Sequence, residues 1–303
     1  MDLALSTAGV AVRAAGAVSP RWGAAVALPL FGHVSRPRPV GAGEQATMWQ
    51  ARRSTLRIPG IQRSGPGVVA YEWGHGTDVV VLAHGWTGRA SQFAALVREL
   101  TAEGLRVVAF DAPAHGDSSG RRTYLVDWID ALTELQQRHG RFHAVVGHSF
   151  GGLAALVAGA DGVQADHVIT VAAPADADLL LSQFQGMLGY GDPTSAALRE
   201  RFARRYFPGE ADPFGRLSPV RRPLPAGVAL LAVHDEADRM VPYGELSRIR
   251  AANGGARAVT TRGFGHNRIL ESDPFLDAVL EFIAPPAIRE VPRVATAEAA
   301  DAA

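Results

Sequence analysis

At 303 residues the chain can bury a sizeable core, and its 30 basic side chains balance 30 acidic ones, which leaves no electrostatic case for nucleic acid or an acidic membrane surface as partner. Cysteine is absent, which excludes disulfides, thiolate zinc sites, iron–sulfur clusters and cysteine nucleophiles. Lysine is absent as well, which excludes a Walker A lysine, a Schiff-base lysine and a Ser-Lys dyad.

Residues 1–34 carry only Asp2, Arg13 and Arg21 as charges and read as one or two Ala-rich helices broken near Pro20 and Pro29. No run of about 18 uninterrupted apolar residues occurs, so no stable membrane span is expected. The Met-Asp-Leu start is not the basic n-region of a signal peptide, and Arg13 interrupts the apolar run. A helix packed on the domain and a cytoplasmic location are therefore expected, with secretion the alternative. The Arg-Pro-Arg-Pro stretch from Arg36 to Pro39 reads as a linker, so residues 1–50 form a helical extension and linker.

Ser54 to Ile58 and Val68 to Trp73 read as two strands around the Gly65–Gly67 turn, an antiparallel hairpin at a sheet edge. From Asp78 the pattern becomes strand alternating with helix. Val79 to Ala83 is an unbroken apolar run, as in a strand buried on both faces, and a helix follows from about Ser91 to Glu103. Leu105 to Phe110 is the next strand and Tyr124 to His139 the next helix. Ala144 to Val146 then leads into Gly147-His148-Ser149-Phe150-Gly151, with helix over Gly152 to Ala160, and Val168 to Ala172 is another strand. The spacing of Leu180, Phe184 and Leu188, and of Leu198, Phe202 and Tyr206, predicts a helical insertion at about 176–224. Val228 to Val233, a helix over Tyr243 to Ala252, a strand over Arg257 to Thr261 and a helix over Pro274 to Ile283 complete a domain at 51–283. The tail at 284–303, rich in Pro, Ala and Glu, is expected to be disordered. Such alternation implies right-handed crossovers and a mostly parallel sheet with helices on both faces.

Candidate chemical groups gather at the carboxyl ends of the strands, where open parallel sheets place their sites. The glycines flanking Ser149 permit a sharp strand-to-helix turn that lifts the hydroxyl above the sheet edge. The same turn sets the Phe150 N–H at a helix N-terminus, where negative charge is favoured. A serine nucleophile needs a base, and the base an orienting carboxylate. His266 follows the last strand on a glycine-bearing loop, free to reach across the strand ends, and is the expected base. A loop histidine on its own is more often merely solvated, but its place downstream of an exposed serine favours the catalytic reading. His148 is expected to point the other way and to pack or bond locally, and His84, His115 and His234 to support the site or the fold. Asp238 is the first choice of acid, with Asp235, Glu236 and Asp176 as alternatives. In the insertion, Leu180, Phe184, Met187, Leu188, Phe202 and Tyr206 could line an apolar pocket, or could form its own core and its seam with the main domain. Arg199, Arg201, Arg204 and Arg205 could meet a substrate carboxylate, although a solvated helix face accounts for them better.

The order Ser149, Asp238, His266 is that of the α/β-hydrolase arrangement. The sequence resembles the α/β-hydrolase superfamily through His84-Gly85-Trp86, Phe110-Asp111 through His115-Gly116, Gly147 to Gly152, Asp238 through Pro242, and Gly265-His266, over about Arg53 to Ile283. The resemblance implies an α/β-hydrolase fold with a small helical cap inserted after the sixth strand. It also implies Ser149 as nucleophile, Asp238 as acid, His266 as base, and an oxyanion hole from the backbone N–H groups of Trp86 and Phe150. Asp111 would be structural. The chain departs from the family in reading Asp111-Ala112-Pro113-Ala114-His115-Gly116 where Arg-Gly-His-Gly commonly follows the aspartate, and in placing Asp235 where a glycine is common. The implied function is a serine hydrolase, without cofactor or metal, that cleaves a small ester or thioester with an apolar acyl part through an acyl-enzyme. The alternatives are carbon–carbon bond hydrolysis or perhydrolysis on the same site, or a non-catalytic hydrolase-like binding module. No feature of the sequence sets the oligomeric state.

Overall fold

A computed structural model describes residues 3–34 and 37–284; Arg36 of the proline-rich stretch and the tail from Pro285 lie outside the described residues. Helices α1 (Leu3–Val18) and α2 (Pro20–Phe31) open the chain. The short α3 (Gln45–Trp49) precedes strands β1 (Arg52–Arg57), β2 (Gly67–Trp73) and β3 (Val79–Ala83). Helix α4 (Ala94–Ala102), β4 (Arg106–Asp111), α5 (Leu125–His139), β5 (Phe142–His148), α6 (Phe150–Ala160) and β6 (Ala165–Val171) follow. Helices α7 (Ala177–Leu188), α8 (Asp192–Tyr206) and α9 (Pro213–Arg216) fill the predicted insertion. The chain then returns through β7 (Ala229–Asp235), α10 (Gly244–Ala252), β8 (Arg257–Thr261), the one-turn α11 (Gly265–Arg268) and α12 (Asp273–Ile283).

Among the described residues the strands form one eight-stranded sheet in the order β1-β2-β4-β3-β5-β6-β7-β8. The β1–β2 and β2–β4 pairs are antiparallel and the rest parallel. This is the α/β-hydrolase fold. Every residue of β3 is buried, and alternation splits the strand between two cores. Val79, Val81 and Ala83 join the helices α5, α6 and α10, while Val80 and Leu82 join α4 and α12.

One expectation about the N-terminal segment changes. The chain does break at Pro20, which sits at the first turn of α2, where a missing N–H costs nothing. Pro29, however, lies inside α2; only Leu30 and Phe31 follow it, so its ring disturbs one closing turn and does not end the helix. Within the domain, the segment packs chiefly on the insertion. A Cβ at Gly16 would lie 2.8 Å from Thr194 Oγ1, and one at Gly23 2.8 Å from Thr194 Cγ2. Small residues thus let α1 and α2 close onto α8. Arg13 Nη1 donates to the Leu188 carbonyl at the end of α7 (2.6 Å), as cations favour helix C-termini. The Phe31 ring meets Phe184 at 5.1 Å and Phe202 at 5.7 Å.

Candidate active site

Three loops at the carboxyl ends of the strands build the site. The first joins β5 to α6. Ser149 sits there at φ 53° and ψ −119°, a region that costs a side-chain-bearing residue on the order of 1–3 kcal/mol. The flanking glycines are there because nothing larger fits. A Cβ on Gly147 would stand 2.3 Å from the Gly151 carbonyl oxygen, and one on Gly151 2.1 Å from that of Ala83. The turn is fixed from below by Ser149 N–H donating to Val171 O (2.8 Å). Phe150 begins α6, so its N–H is one of the helix N-terminal donors without a partner in the helical ladder.

The second loop follows β3. A Cβ on Gly85 would come within 2.9 Å of Ser149 Cβ, so this loop passes directly over the elbow. Thr87 N–H donates to His115 Nε2 (3.1 Å), and Ala112 N–H donates to His84 Nε2 (2.9 Å). The other ring nitrogens therefore carry the protons, His84 Nδ1–H donating to Gly85 O (2.7 Å) and His115 Nδ1–H to Pro113 O (3.1 Å). The Trp86 ring packs on Trp128 and Phe150. Both histidines thus brace the loop that carries the Trp86 N–H. Asp111 accepts from Ala90 N–H (2.7 Å), Asp117 N–H (2.8 Å) and Tyr71 O–H (2.9 Å), and so acts as the expected loop brace.

The third group comes from the ends of β7 and β8. Asp238 Oδ2 accepts from His266 Nδ1–H at 2.8 Å, and Oδ1 accepts from the N–H groups of Met240 (2.7 Å) and Val241 (3.0 Å). Burial pushes this carboxyl upward, but hydrogen bonds from His234, His266 and Val241 outweigh it and hold the group well below the usual carboxylate range. With Nδ1 donating to an ionised carboxylate, a neutral His266 presents its lone pair on Nε2. The three alternative acids are engaged elsewhere. Asp235 ends β7 and accepts from Thr261 Oγ1–H (2.8 Å), Ala237 N–H (2.9 Å) and Phe264 N–H (3.1 Å). Glu236 pairs with Arg262 at 2.8 Å, and Asp176 caps α7 and pairs with Arg248.

Two histidines behave differently from the sequence expectation. His266 is not on an open loop; it lies in α11 and is 8% exposed, because Gly265, at φ 65°, turns the chain straight into a helical turn. Nor does His148 bond only locally. Its Nδ1 accepts from Gln92 Nε2–H (3.0 Å), and its Nε2–H donates to the His266 carbonyl (2.9 Å), the two rings lying 4.8 Å apart. The residue before the serine therefore holds the histidine presented by the last loop. Among the described residues no hydrogen bond joins Ser149 Oγ to His266, whose bonds run to His148 and Asp238; such bonds commonly close only around substrate. Two further contacts left no mark in the sequence pattern, Gln92 on His148 and His234 Nε2 lying 3.4 Å from Asp238 Oδ2.

The insertion residues resolve in favour of core and seam. Leu188 and Phe202 are buried, Met187 is 60% exposed, and Tyr206 shares a hydroxyl contact with Tyr124 (3.1 Å). Arg199 pairs with Asp178 and lies over the Phe214 ring, and Arg204 pairs with Glu200. Two surface cavities, of about 430 and 440 Å³, are lined by neither Ser149, Asp238 nor His266.

Burial depresses His84 to about 4, and His115 and His148 to about 3, from an ordinary 6.5. Unfolded imidazoles take up a proton near 6.5 while these do not, so stability is full above that pH and declines below it. Unfolding free energies from denaturant titration should fall between about pH 8 and about pH 5, by on the order of 2 kcal/mol per histidine. A flat profile would show that these rings are solvated or charged when folded.

The Alpha/beta hydrolase family profile matches residues 80–299, and the chain belongs to that family. It is 32% identical over 116 residues to a monoacylglycerol lipase of Mycolicibacterium smegmatis, a match covering 35% of this chain and 41% of that protein. Among solved structures it is similar to an esterase of Pyrococcus furiosus (TM-score 0.60, 20% identity, 83% of this chain and 97% of the other). It is also similar to mouse alpha/beta hydrolase domain-containing protein 10 (TM-score 0.59, 18% identity, 77% and 98%). At these identities the likeness is one of fold.

Proposed function

We propose that the protein is a serine hydrolase that cleaves an ester or thioester with an apolar acyl part through an acyl-enzyme. The observation that carries this reading is the 2.8 Å His266–Asp238 hydrogen bond, set beside a strained serine elbow whose neighbour His148 holds the His266 backbone. Ser149 Oγ attacks the substrate carbonyl while His266 Nε2 takes its proton and later returns it to the leaving group. Asp238 keeps the imidazole in the required tautomer and stabilises its cationic form. The N–H groups of Trp86 and Phe150 receive the oxyanion, each such donor contributing about 2.7–4 kcal/mol. The helical insertion at about 176–224 serves as the cap that shapes the acyl site. The monoacylglycerol lipase and the esterase among the similar proteins fit an ester substrate.

Turnover of p-nitrophenyl esters of graded acyl length tests the reading, with rates expected to rise with chain length until the cap limits them. No hydrolysis of any ester or thioester by the folded protein would remove it.

His234 supplies a second expected result. Its Nε2 lies between Asp238 Oδ2 (3.4 Å) and Val241 O (3.1 Å), so it shares the carboxylate that orients His266. In His234→Phe the carboxylate loses this contact, its hold on the His266 imidazole loosens, and kcat is expected to fall with KM little changed. His234→Gln retains a donor and should keep most of the rate. Equal kcat in both variants and wild type would limit His234 to packing.

A further inference from the structure

Helices α1 and α2 are apolar on both faces. The inner face of α2, Gly23, Ala24, Ala27 and Leu28, is buried. The outer surface carries Val10 (55% exposed), Val18 (70%), Trp22 (62%) and Val26 (36%). A helix hydrophobic all round is normally covered all round, and clustered exposed apolar side chains mark a contact surface. The only charges on this hairpin are Arg13 and Arg21, and no Asp or Glu occurs between Leu3 and Gly43. The balanced charge of the whole chain conceals this one-signed segment.

We infer that the outer face of the α1–α2 hairpin docks onto an anionic phospholipid bilayer, lying in its interface. Trp22 is suited to the headgroup level, where its ring is apolar and its N–H stays wet. Arg21 precedes it and meets lipid phosphates. No helix of the described residues is long and apolar enough to cross a membrane, so the contact is parallel to the surface. A second copy of the chain fits less well, because Arg13 is held by the Leu188 carbonyl and a two-fold pairing of this face would set Arg21 against Arg21 with no acid on the face to pair them. The docking is independent of the role given to Ser149.

The test is flotation of the full chain with vesicles of phosphatidylcholine alone and of phosphatidylcholine mixed with phosphatidylglycerol. Binding is expected to the mixed vesicles, weakened by salt, and accompanied by a blue shift in tryptophan emission that Trp22→Phe removes. Arg21→Glu and Trp22→Glu should each lower the bound fraction roughly tenfold, with circular dichroism and turnover of a water-soluble ester unchanged. Two results would overturn the inference. One is failure of wild type to float with mixed vesicles. The other is a wild-type dimer in solution that Trp22→Glu dissociates and vesicles do not, which would assign the face to a second copy. Loss of ester turnover with flotation intact would instead count against the hydrolase reading alone.

Discussion

Ser149→Ala is expected to lower kcat on the order of a millionfold and to abolish labelling by a fluorophosphonate probe. The serine has no structural duty that alanine fails to meet: its N–H still bonds Val171 O, and its side chain is half-buried. Alanine nonetheless inherits the backbone at φ 53°, so the variant should be no more stable than wild type. Ser149→Gly should be just as inactive yet more stable by on the order of 1 kcal/mol, because glycine adopts that conformation without strain. Thermal unfolding of the three proteins beside their turnover separates the two effects. Retained labelling in Ser149→Ala would place the nucleophile elsewhere, and a less stable glycine variant would mean that the elbow carries no strain.

Asp238→Asn is expected to cost on the order of ten-thousandfold in kcat, because an amide can present its N–H to His266 Nδ1 and so favour the wrong tautomer. The neighbouring acids should respond in another way. Asp235 holds the Thr261 hydroxyl and the loop N–H groups of Ala237 and Phe264. Asp235→Asn leaves some of these donors unmatched, which lowers stability by about 1–3 kcal/mol, while probe labelling persists. Asp176→Asn keeps an N-cap and loses only the pair with Arg248, with little effect on rate. Intact turnover in Asp238→Asn, together with loss in either of the others, would reassign the acid.

Much of the sheet was legible because period and burial are coupled so directly. The unbroken run Val79 to Ala83 could only be a strand with both faces covered, and its bounds are those of β3. The elbow was legible for a steric reason, since the Gly147 and Gly151 positions tolerate no Cβ. What periodicity does not encode is the identity of the partner surface. The apolar spacing of Phe184 and Phe202 reports that they face an apolar surface, not that Phe31 of the N-terminal segment is part of it. The bond from His148 to the His266 carbonyl spans 118 positions and depends on how two loops meet in space. His266 was expected on an open loop because glycines surround it; the structure uses Gly265 to start a turn of helix. The two readings of the insertion side chains, pocket or seam, have the same pattern, and only packing separates them.

Arg13 grips the end of α7, and the glycines of α1 and α2 lock around Thr194 of α8. Helices α1 and α2 and the insertion are consequently packed against one another as one unit. For α7 and α8 to swing away from the sheet alone, they would have to strip off a guanidinium cap and open an aromatic seam at the same time. On the proposed reading of the insertion as a cap, admitting a bulky substrate means tilting all four helices together, with the slack taken up where this unit is tethered to the strands.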